Sequence, residues 1–157
     1  GYLMKLIRFL LEHEVDEMVR ERIRMRIIGD RSRFEEDMQK MMEKIEVATS
    51  AAYDITLHLA LSYGGRAEIV SAVNAFLKEG LPVVTEALFA QKLGAYPMPD
   101  PDLIIRTGGE KRLSNFLPWQ STYSELFFTD TKWPAFGKEE FDEILAEFSA
   151  RERRHGK

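Results

Sequence analysis

The residues best suited to chemistry lie in a short segment from Arg106 to Ser114, where cations, glycines and hydroxyl groups are concentrated. The guanidinium groups of Arg106 and Arg112 each present a planar set of donors that matches pairs of phosphate oxygens. The paired glycines Gly108 and Gly109 would allow backbone N–H groups to approach an anion and form a nest around it. The segment therefore predicts a site for a small anionic ligand such as a diphosphate, although an ordinary basic loop has the same composition.

Neutral polar residues extend this prediction. Thr107, Ser114 and Asn115 add further hydrogen-bond donors to the same segment. Either Ser114 or Asn115 would also suit the cap of a helix, and the amino terminus of a helix favours anions. These residues strengthen the interpretation of the segment as an anion site.

Glu125 is the residue that would add a metal ion to such a site. It follows Tyr123 and Ser124 and opens a predicted strand. Mg²⁺ prefers oxygen ligands and typically takes one or two protein carboxylates together with substrate phosphate oxygens. A single glutamate is more often solvated or ion-paired at a surface, and the same holds for Asp102 and Asp130. Spacing alone therefore leaves both interpretations of Glu125 open.

Other catalytic chemistries find no support in the sequence. Cysteine is absent, which excludes a disulfide framework, a thiol nucleophile and a thiolate metal site. The three histidines, His13, His58 and His155, are not spaced as metal ligands, so a zinc site is not expected. His58 lies in a strand pattern, where packing is a more common role than catalysis. No phosphate-binding Walker loop, dinucleotide fingerprint or serine-hydrolase elbow occurs.

The apolar pattern predicts strands that alternate with helices. Strands are indicated at residues 23–27, 54–61, 103–106 and 125–129. Helices are indicated at residues 2–21, from a capping box at Ser32 and Glu35 to Ala48, after the turn 63–66 as far as Gly80, from Pro82 to about Gly94, and around residues 141–148. This order predicts an α/β fold with a mostly parallel open sheet and helices on both faces.

The predicted sheet places the candidate residues at one edge. In open α/β sheets, ligands bind outside the carboxyl ends of the strands. Arg106 ends one predicted strand, and the turn Tyr63-Gly64-Gly65-Arg66 follows another. The fold and the charge pattern therefore predict the same ligand-binding edge.

Composition narrows the class of protein. The chain has 157 residues and a formal net charge of −4, and a mildly acidic protein is not expected to bind nucleic acid broadly. No apolar run approaches the roughly 18 residues of a membrane-spanning helix. These features predict a cytoplasmic, globular protein whose local basic clusters bind a small anion.

The sequence from Asp102 to Leu126 resembles the cis-prenyltransferases, and most closely the bacterial undecaprenyl diphosphate synthases. The resemblance is carried by DLIIRTGGE at 102–110, then Arg112, Ser114-Asn115-Phe116, Trp119-Gln120, Tyr123 and Glu125-Leu126. It continues in RIIGD at 26–30, YGGR at 63–66, FTD at 128–130, Trp133-Pro134 and RERR at 151–154. It covers essentially the whole chain.

The resemblance implies an enzyme that condenses isopentenyl diphosphate with an allylic diphosphate, usually farnesyl diphosphate, to form a polyprenyl diphosphate. It implies that Arg106, Arg112 and Ser114 bind the isopentenyl diphosphate. It also implies that Glu125 binds Mg²⁺ at that diphosphate, and that Arg106 and Glu125 are the catalytic residues. Arg154 and Gly156 match an Arg-x-Gly motif that reaches the partner subunit's active site in a homodimer, and the resemblance implies that both residues bind substrate there. Contact with a membrane is expected only through the lipid product.

Two family motifs do not occur in the sequence. One is the loop Asp-Gly-Asn-Gly-Arg-Trp-Ala, whose aspartate binds magnesium, and the other is Ser-x-x-Asn-Trp. Residues 1–157 are therefore expected to be the C-terminal portion of one cis-prenyltransferase domain, with an incomplete sheet because the N-terminal strands are missing. This portion would carry the isopentenyl-diphosphate half of the site and be inactive alone, whether as a fragment or as half of a split gene. The alternative is a non-catalytic homologous subunit that supports a catalytic chain.

Overall fold

The structure, a computed structural model, describes residues 5, 8, 9 and 13–151. The chain divides into two compact units. The first comprises Gly1–Tyr63 and Ser71–Ala95, and the second comprises Gly64–Val70 and Tyr96–Lys157. Within the described residues, no helix is long and apolar enough to cross a membrane.

Helices and strands alternate along the chain, as predicted. The elements are α1 (Val15–Arg20), β1 (Ile23–Ile28), α2 (Glu36–Ala48), β2 (Ile55–Ala60), α3 (Gly65–Glu79), α4 (Glu86–Lys92), β3 (Leu103–Arg106), β4 (Glu125–Phe128) and α5 (Lys138–Ala150). Short 3₁₀ turns cover Arg31–Arg33 and Trp133–Ala135.

Each unit contains one pair of parallel strands. In the first unit β1 pairs with β2, with Ile23 opposite Ile55. In the second unit β3 pairs with β4, with Leu103 opposite Glu125 and Arg106 opposite Phe128. The predicted α/β class and parallel pairing are therefore confirmed. Among the described residues the four strands form two separate pairs.

The core of the first unit lies between β1 and helix α2. Met25 and Ile27 of β1 are almost fully buried, as are Met38, Met42 and Ile45 of α2. The residues of α2 recur at three- and four-residue spacing and so share one helical face. The apolar alternation of β1 is therefore explained by packing against this helix.

Side chains close the edge of β1 that faces away from β2. The N–H group of Met25 donates to Oγ1 of Thr49 at 3.0 Å, and that of Ile27 donates to Oε1 of Glu46 at 2.7 Å. Thr49 is only 2% exposed and donates its own proton to the carbonyl of Ile45 at 2.8 Å. Nη2 of Arg31 also donates to Oε1 of Glu46, at 2.7 Å. These contacts satisfy backbone donors that would otherwise be left open at a strand edge.

Two predicted helix starts are wrong. Ser32 lies in the 3₁₀ turn, where its N–H donates to Asp30, and α2 begins at Glu36 without a side-chain cap. Helix α4 begins at Glu86, where the hydroxyl of Thr85 accepts from the N–H of Leu88, and not at Pro82. Ser32 is used by the local turn at Asp30, whereas at α4 the cap of Thr85 fixes a start that differs from the sequence signal. Eight of the 20 residues of the predicted helix 2–21 lie outside the described residues, and α1 covers Val15–Arg20 of the remainder.

Candidate functional site

Ser114 brings the two predicted arginines together. Nη1 of Arg106 donates to Oγ of Ser114 at 2.8 Å, and Nε of Arg112 donates to the same oxygen at 3.2 Å. Nη1 of Arg106 also donates to the backbone carbonyl of Arg112. Because the hydroxyl oxygen accepts from both cations, its proton remains available for an anion. We call these three side chains the Arg106–Ser114 cluster.

The Arg106–Ser114 cluster is open to solvent and positively charged. Arg106 is half-buried at the end of β3, whereas Arg112 and Ser114 are exposed. Nη1 of Arg112 is ion-paired with Glu110, so an incoming anion would meet the other donors of that guanidinium group. Lys111 is exposed and adds a further positive charge. The arrangement can hold a multiply charged anion by several charge-assisted hydrogen bonds.

The predicted anion nest at the paired glycines is wrong. The N–H of Gly108 donates to the carbonyl of Thr131 at 2.9 Å, and the N–H of Gly109 donates to the carbonyl of Thr129 at 2.8 Å. Both glycines have positive φ angles, 93° and 83°, which glycine adopts without strain. The pair therefore fastens the loop to the chain that follows β4, and its amides are already used.

Asn115 caps a helix, but not one near it in sequence. Its carbonyl accepts from the N–H of Gly65 at 2.9 Å, and its Oδ1 accepts from the N–H of Arg66 at 2.9 Å. These donors belong to the first turn of α3, where backbone N–H groups lack partners within the helix. The sequence indicated a capping residue but could not identify the helix, because the two partners are 49 residues apart.

The glycines of the 63–66 turn allow this close approach. A Cβ atom on Gly65 would lie 2.0 Å from Cδ of Pro118, and one on Gly64 would lie 3.0 Å from Nδ2 of Asn115. No side chain larger than hydrogen fits at Gly65 without displacing Pro118. The turn therefore allows the loop around Asn115 to lie against the start of α3.

Glu125 does not lie with the Arg106–Ser114 cluster. It is paired with Leu103, whereas Arg106 is paired with Phe128. Glu125 is therefore three positions from Arg106 along the strand pair, about 10 Å, and the alternation of side chains places it on the opposite face. The sequence could not reveal this separation because the register between strands was unknown.

The carboxylate of Glu125 forms an ion pair with Arg151. Nη1 of Arg151 donates to Oε2 of Glu125 at 2.7 Å, and Nη2 donates to Oε1 of Glu147 at 2.6 Å. The guanidinium carbon lies 4.0 Å from the centre of the Phe127 ring. The hydrogen bonds to Glu125 and Glu147 raise the pKa of Arg151. Sequence reasoning assigned Arg151 no separate role.

The described residues do not assemble a magnesium site by themselves. Among them, no group of three acidic or histidine side chains is close enough to hold a metal ion. Glu125 is ion-paired and lies away from the Arg106–Ser114 cluster. Within one chain, the described residues therefore do not fit the predicted metal at that cluster. Arg154 and Gly156 lie outside the described residues.

His58 lies in the first unit, in a cationic setting. Register places it opposite Arg26, on the face of the strand pair that also carries Arg24. Burial lowers its pKa below the ordinary value of 6.5, and the charges of Arg26 and Arg24 lower it further. The half-buried imidazole therefore favours its neutral form near pH 7.

Known proteins resemble the whole chain. The family model described as "Putative undecaprenyl diphosphate synthase" matches residues 1–156. The isoprenyl transferase of Chromobacterium violaceum is 42% identical over 157 residues, which are 100% of this chain and 62% of that protein. The chain thus spans about three fifths of the length of this curated relative.

Solved structures show the same relationship. A probable undecaprenyl diphosphate synthase from Campylobacter jejuni has a TM-score of 0.90 and 35% identity, over 99% of this chain and 74% of that one. Lavandulyl diphosphate synthase from Lavandula x intermedia, in complex with dimethylallyl diphosphate, has a TM-score of 0.92 and 35% identity, over 99% of this chain and 70% of that one. The chain belongs to the undecaprenyl diphosphate synthase family of prenyltransferases.

Proposed function

We propose that the Arg106–Ser114 cluster binds the diphosphate group of isopentenyl diphosphate. The chain would thereby supply one half of a site for cis-prenyl chain elongation. The reaction condenses isopentenyl diphosphate with an allylic diphosphate, such as farnesyl diphosphate, to a polyprenyl diphosphate such as undecaprenyl diphosphate. The observation that carries the proposal is the hydroxyl of Ser114, which accepts from both guanidinium groups and keeps its proton for a ligand oxygen.

The cluster would act by positioning and charge. Two guanidinium groups at one hydroxyl offset the negative charge of a diphosphate and fix its orientation. A substrate held in this way presents its double bond in one direction, which converts a bimolecular encounter into a step between oriented groups. Arg106 is the central residue in this proposal because it contacts both Ser114 and the backbone of Arg112.

Mg²⁺ is proposed as the cofactor, with Glu125 as a ligand. When bound, the ion would neutralise charge on diphosphate oxygens. Glu125 lies on the face of the strand pair opposite Arg106, so the remaining ligands of such an ion would have to come from outside the described residues of this chain. We also propose a homodimer in which Arg154 and Gly156 reach the partner subunit.

An apolar surface in the first unit is proposed for the prenyl tail. Ile55 and Leu57 of β2 are 61% and 47% exposed, although Met25, which pairs with Leu57, is packed in the core. Exposed apolar side chains in one patch commonly mark a binding surface. The Lavandula relative, which was solved in complex with dimethylallyl diphosphate, supports a prenyl diphosphate as ligand.

Residues 1–157 are proposed to be the C-terminal portion of one cis-prenyltransferase domain. This portion is proposed to be catalytically inactive alone. The described residues supply the Arg106–Ser114 cluster, but Glu125 lies away from it and no group of three metal-ligating side chains occurs among them. Mixing the chain with isopentenyl diphosphate, farnesyl diphosphate and Mg²⁺ should therefore give no polyprenyl product. Product formation by these residues alone would contradict this part of the proposal.

Direct titration tests the binding site itself. Isothermal titration should show that the chain binds isopentenyl diphosphate and inorganic diphosphate. Arg106→Ala should weaken both by roughly 10- to 100-fold, because it removes charge-assisted hydrogen bonds. Arg33→Ala, which removes an exposed arginine elsewhere in the chain, is the matched control and should bind as the unmodified chain does. Equal affinities for Arg106→Ala and the unmodified chain would overturn the assignment.

A further inference from the structure

Hydrogen bonds on either side of Ser114 attach its loop to the protein. One attachment is the Arg106–Ser114 cluster itself, and another is Asn115, which satisfies the N–H groups of Gly65 and Arg66 at 2.9 Å each. Both attachments lie within the second compact unit. The residue expected to bind diphosphate is therefore next in sequence to a residue fixed on the start of α3.

The backbone of this loop would not hold its conformation unaided. Ser114, Asn115 and Leu117 have φ angles of 49°, 67° and 47°. Residues other than glycine rarely adopt this left-handed region, and asparagine tolerates it better than serine or leucine. Such conformations persist where surrounding contacts impose them. The two hydrogen bonds of Asn115, the buried side chain of Leu117 and the contact surface of Gly65 with Pro118 supply those contacts.

Asn115 can fix the direction of Ser114 without touching a ligand. Its side-chain oxygen is used by Arg66, and its carbonyl is used by Gly65. A change of the Asn115 side chain would remove the bond to Arg66 and loosen the Ser114 backbone, so the hydroxyl oxygen would lose its alignment with the donors of Arg106 and Arg112.

The geometry points to Asn115 as a positioning residue for the diphosphate site: it couples the start of helix α3 to the hydroxyl of Ser114. This inference rests on the proposed function, because it concerns the same site. It adds a role for the Tyr63-Gly64-Gly65-Arg66 turn, whose glycines admit the loop and whose amides hold it. The ligand contact itself stays with Ser114, Arg106 and Arg112.

A double-mutant cycle with inorganic diphosphate as the probe tests the inference. Asn115→Gly keeps a residue that accepts positive φ but removes the acceptor for Arg66, and should weaken binding about tenfold. In a Ser114→Gly background the same change should cost less than about twofold, because Asn115 acts through Ser114. Asn74→Ala, which removes an exposed asparagine from helix α3, is the control and should leave the affinity for diphosphate unchanged.

Distinct results separate this inference from the proposed function. If the unmodified chain does not bind diphosphate, both fail. If the unmodified chain binds diphosphate and Asn115→Gly binds it equally well, only the positioning role fails. The same holds if Asn115→Gly lowers the affinity by the same factor with Ser114 and with Gly at position 114. Should Asn115→Gly not fold, hydrogen exchange on the unmodified chain decides: diphosphate should slow exchange of the Arg66 amide, and an unchanged rate would overturn the inference.

Discussion

The carboxylate of Glu125 is held by Arg151, with 2.7 Å between Oε2 and Nη1. Arg151 also stacks on Phe127, two residues along the same strand. Glu125 is the residue expected to bind Mg²⁺, so a cation of the protein already stands where a metal ion would approach. Metal binding at Glu125 would have to compete with this ion pair.

Arg151→Ala should therefore strengthen divalent-cation binding at Glu125. The variant removes the competing cation, and an increase of about three- to tenfold in Mn²⁺ affinity is expected, measured by electron paramagnetic resonance. Arg151→Lys retains a cation and should stay close to the unmodified chain. In the Arg151→Ala background, Glu125→Gln should abolish the gain. An unchanged affinity in Arg151→Ala would show that the pair does not limit metal binding.

Ser114→Gly and Ser114→Ala should separate the hydroxyl from the backbone. Both variants lose the shared acceptor of the two arginines, so both should bind inorganic diphosphate about tenfold more weakly in calorimetry. Only alanine is strained at the φ angle of 49°, so Ser114→Ala should also unfold at a lower temperature than Ser114→Gly. Tight binding by either variant would exclude the hydroxyl as a ligand.

Gly65→Ala should destabilise the protein. Its Cβ atom would lie 2.0 Å from Cδ of Pro118, and overpacking of this kind typically costs about 1–3 kcal/mol. Gly137→Ala is the matched control, because a Cβ atom there meets nothing within 4 Å. Urea denaturation should show a lower midpoint for Gly65→Ala than for Gly137→Ala. Equal midpoints would mean that the loop around Pro118 moves aside without loss of stability.

Stability should fall as the pH drops below about 6.5 because of His58. Burial and the charges of Arg26 and Arg24 lower the folded-state pKa of this group. As pH falls, the unfolded chain takes up the proton first, so protonation favours unfolding. The urea midpoint should therefore be lower at about pH 5.5 than at about pH 7.5. His58→Gln should reduce this difference, and an unchanged difference in that variant would assign the pH dependence to another group.

Thr49→Val should destabilise the first unit. The variant keeps the shape of the side chain but removes the acceptor of the buried Met25 N–H, which costs about 1–3 kcal/mol when left unsatisfied. Thr49→Ser keeps the hydroxyl and should lose less. The free energy of unfolding in urea provides the comparison, and a stable Thr49→Val would indicate that Met25 finds another acceptor.

The sequence predicted best what depends on neighbours in the chain. Strand β1 and the grouping of Arg106, Arg112 and Ser114 followed from alternation and from residues at most eight positions apart. Contacts between distant segments were not predictable. The helix capped by Asn115 begins 50 residues earlier, and the partner of Glu125 comes 26 residues later.

The amides of Gly108 and Gly109 illustrate the same limit. Glycine pairs are typical both of anion nests and of loops that pass close to another backbone, and the residue types are identical in the two cases. Only the carbonyls of Thr129 and Thr131, which accept their protons, decide between the two. The register that separates Glu125 from Arg106 is likewise a property of paired strands and not of either strand alone.

The closed edge of β1 sets the direction in which this sheet can grow. An incoming strand on that side would have to displace Thr49 and Glu46 from the amides of Met25 and Ile27. A further strand would therefore pair more readily with β2 than with β1, whether it belongs to the same chain, as in a longer relative, or to another molecule. The two side chains act as a terminus for the sheet, and they give the first unit protection on that side against edge-to-edge aggregation.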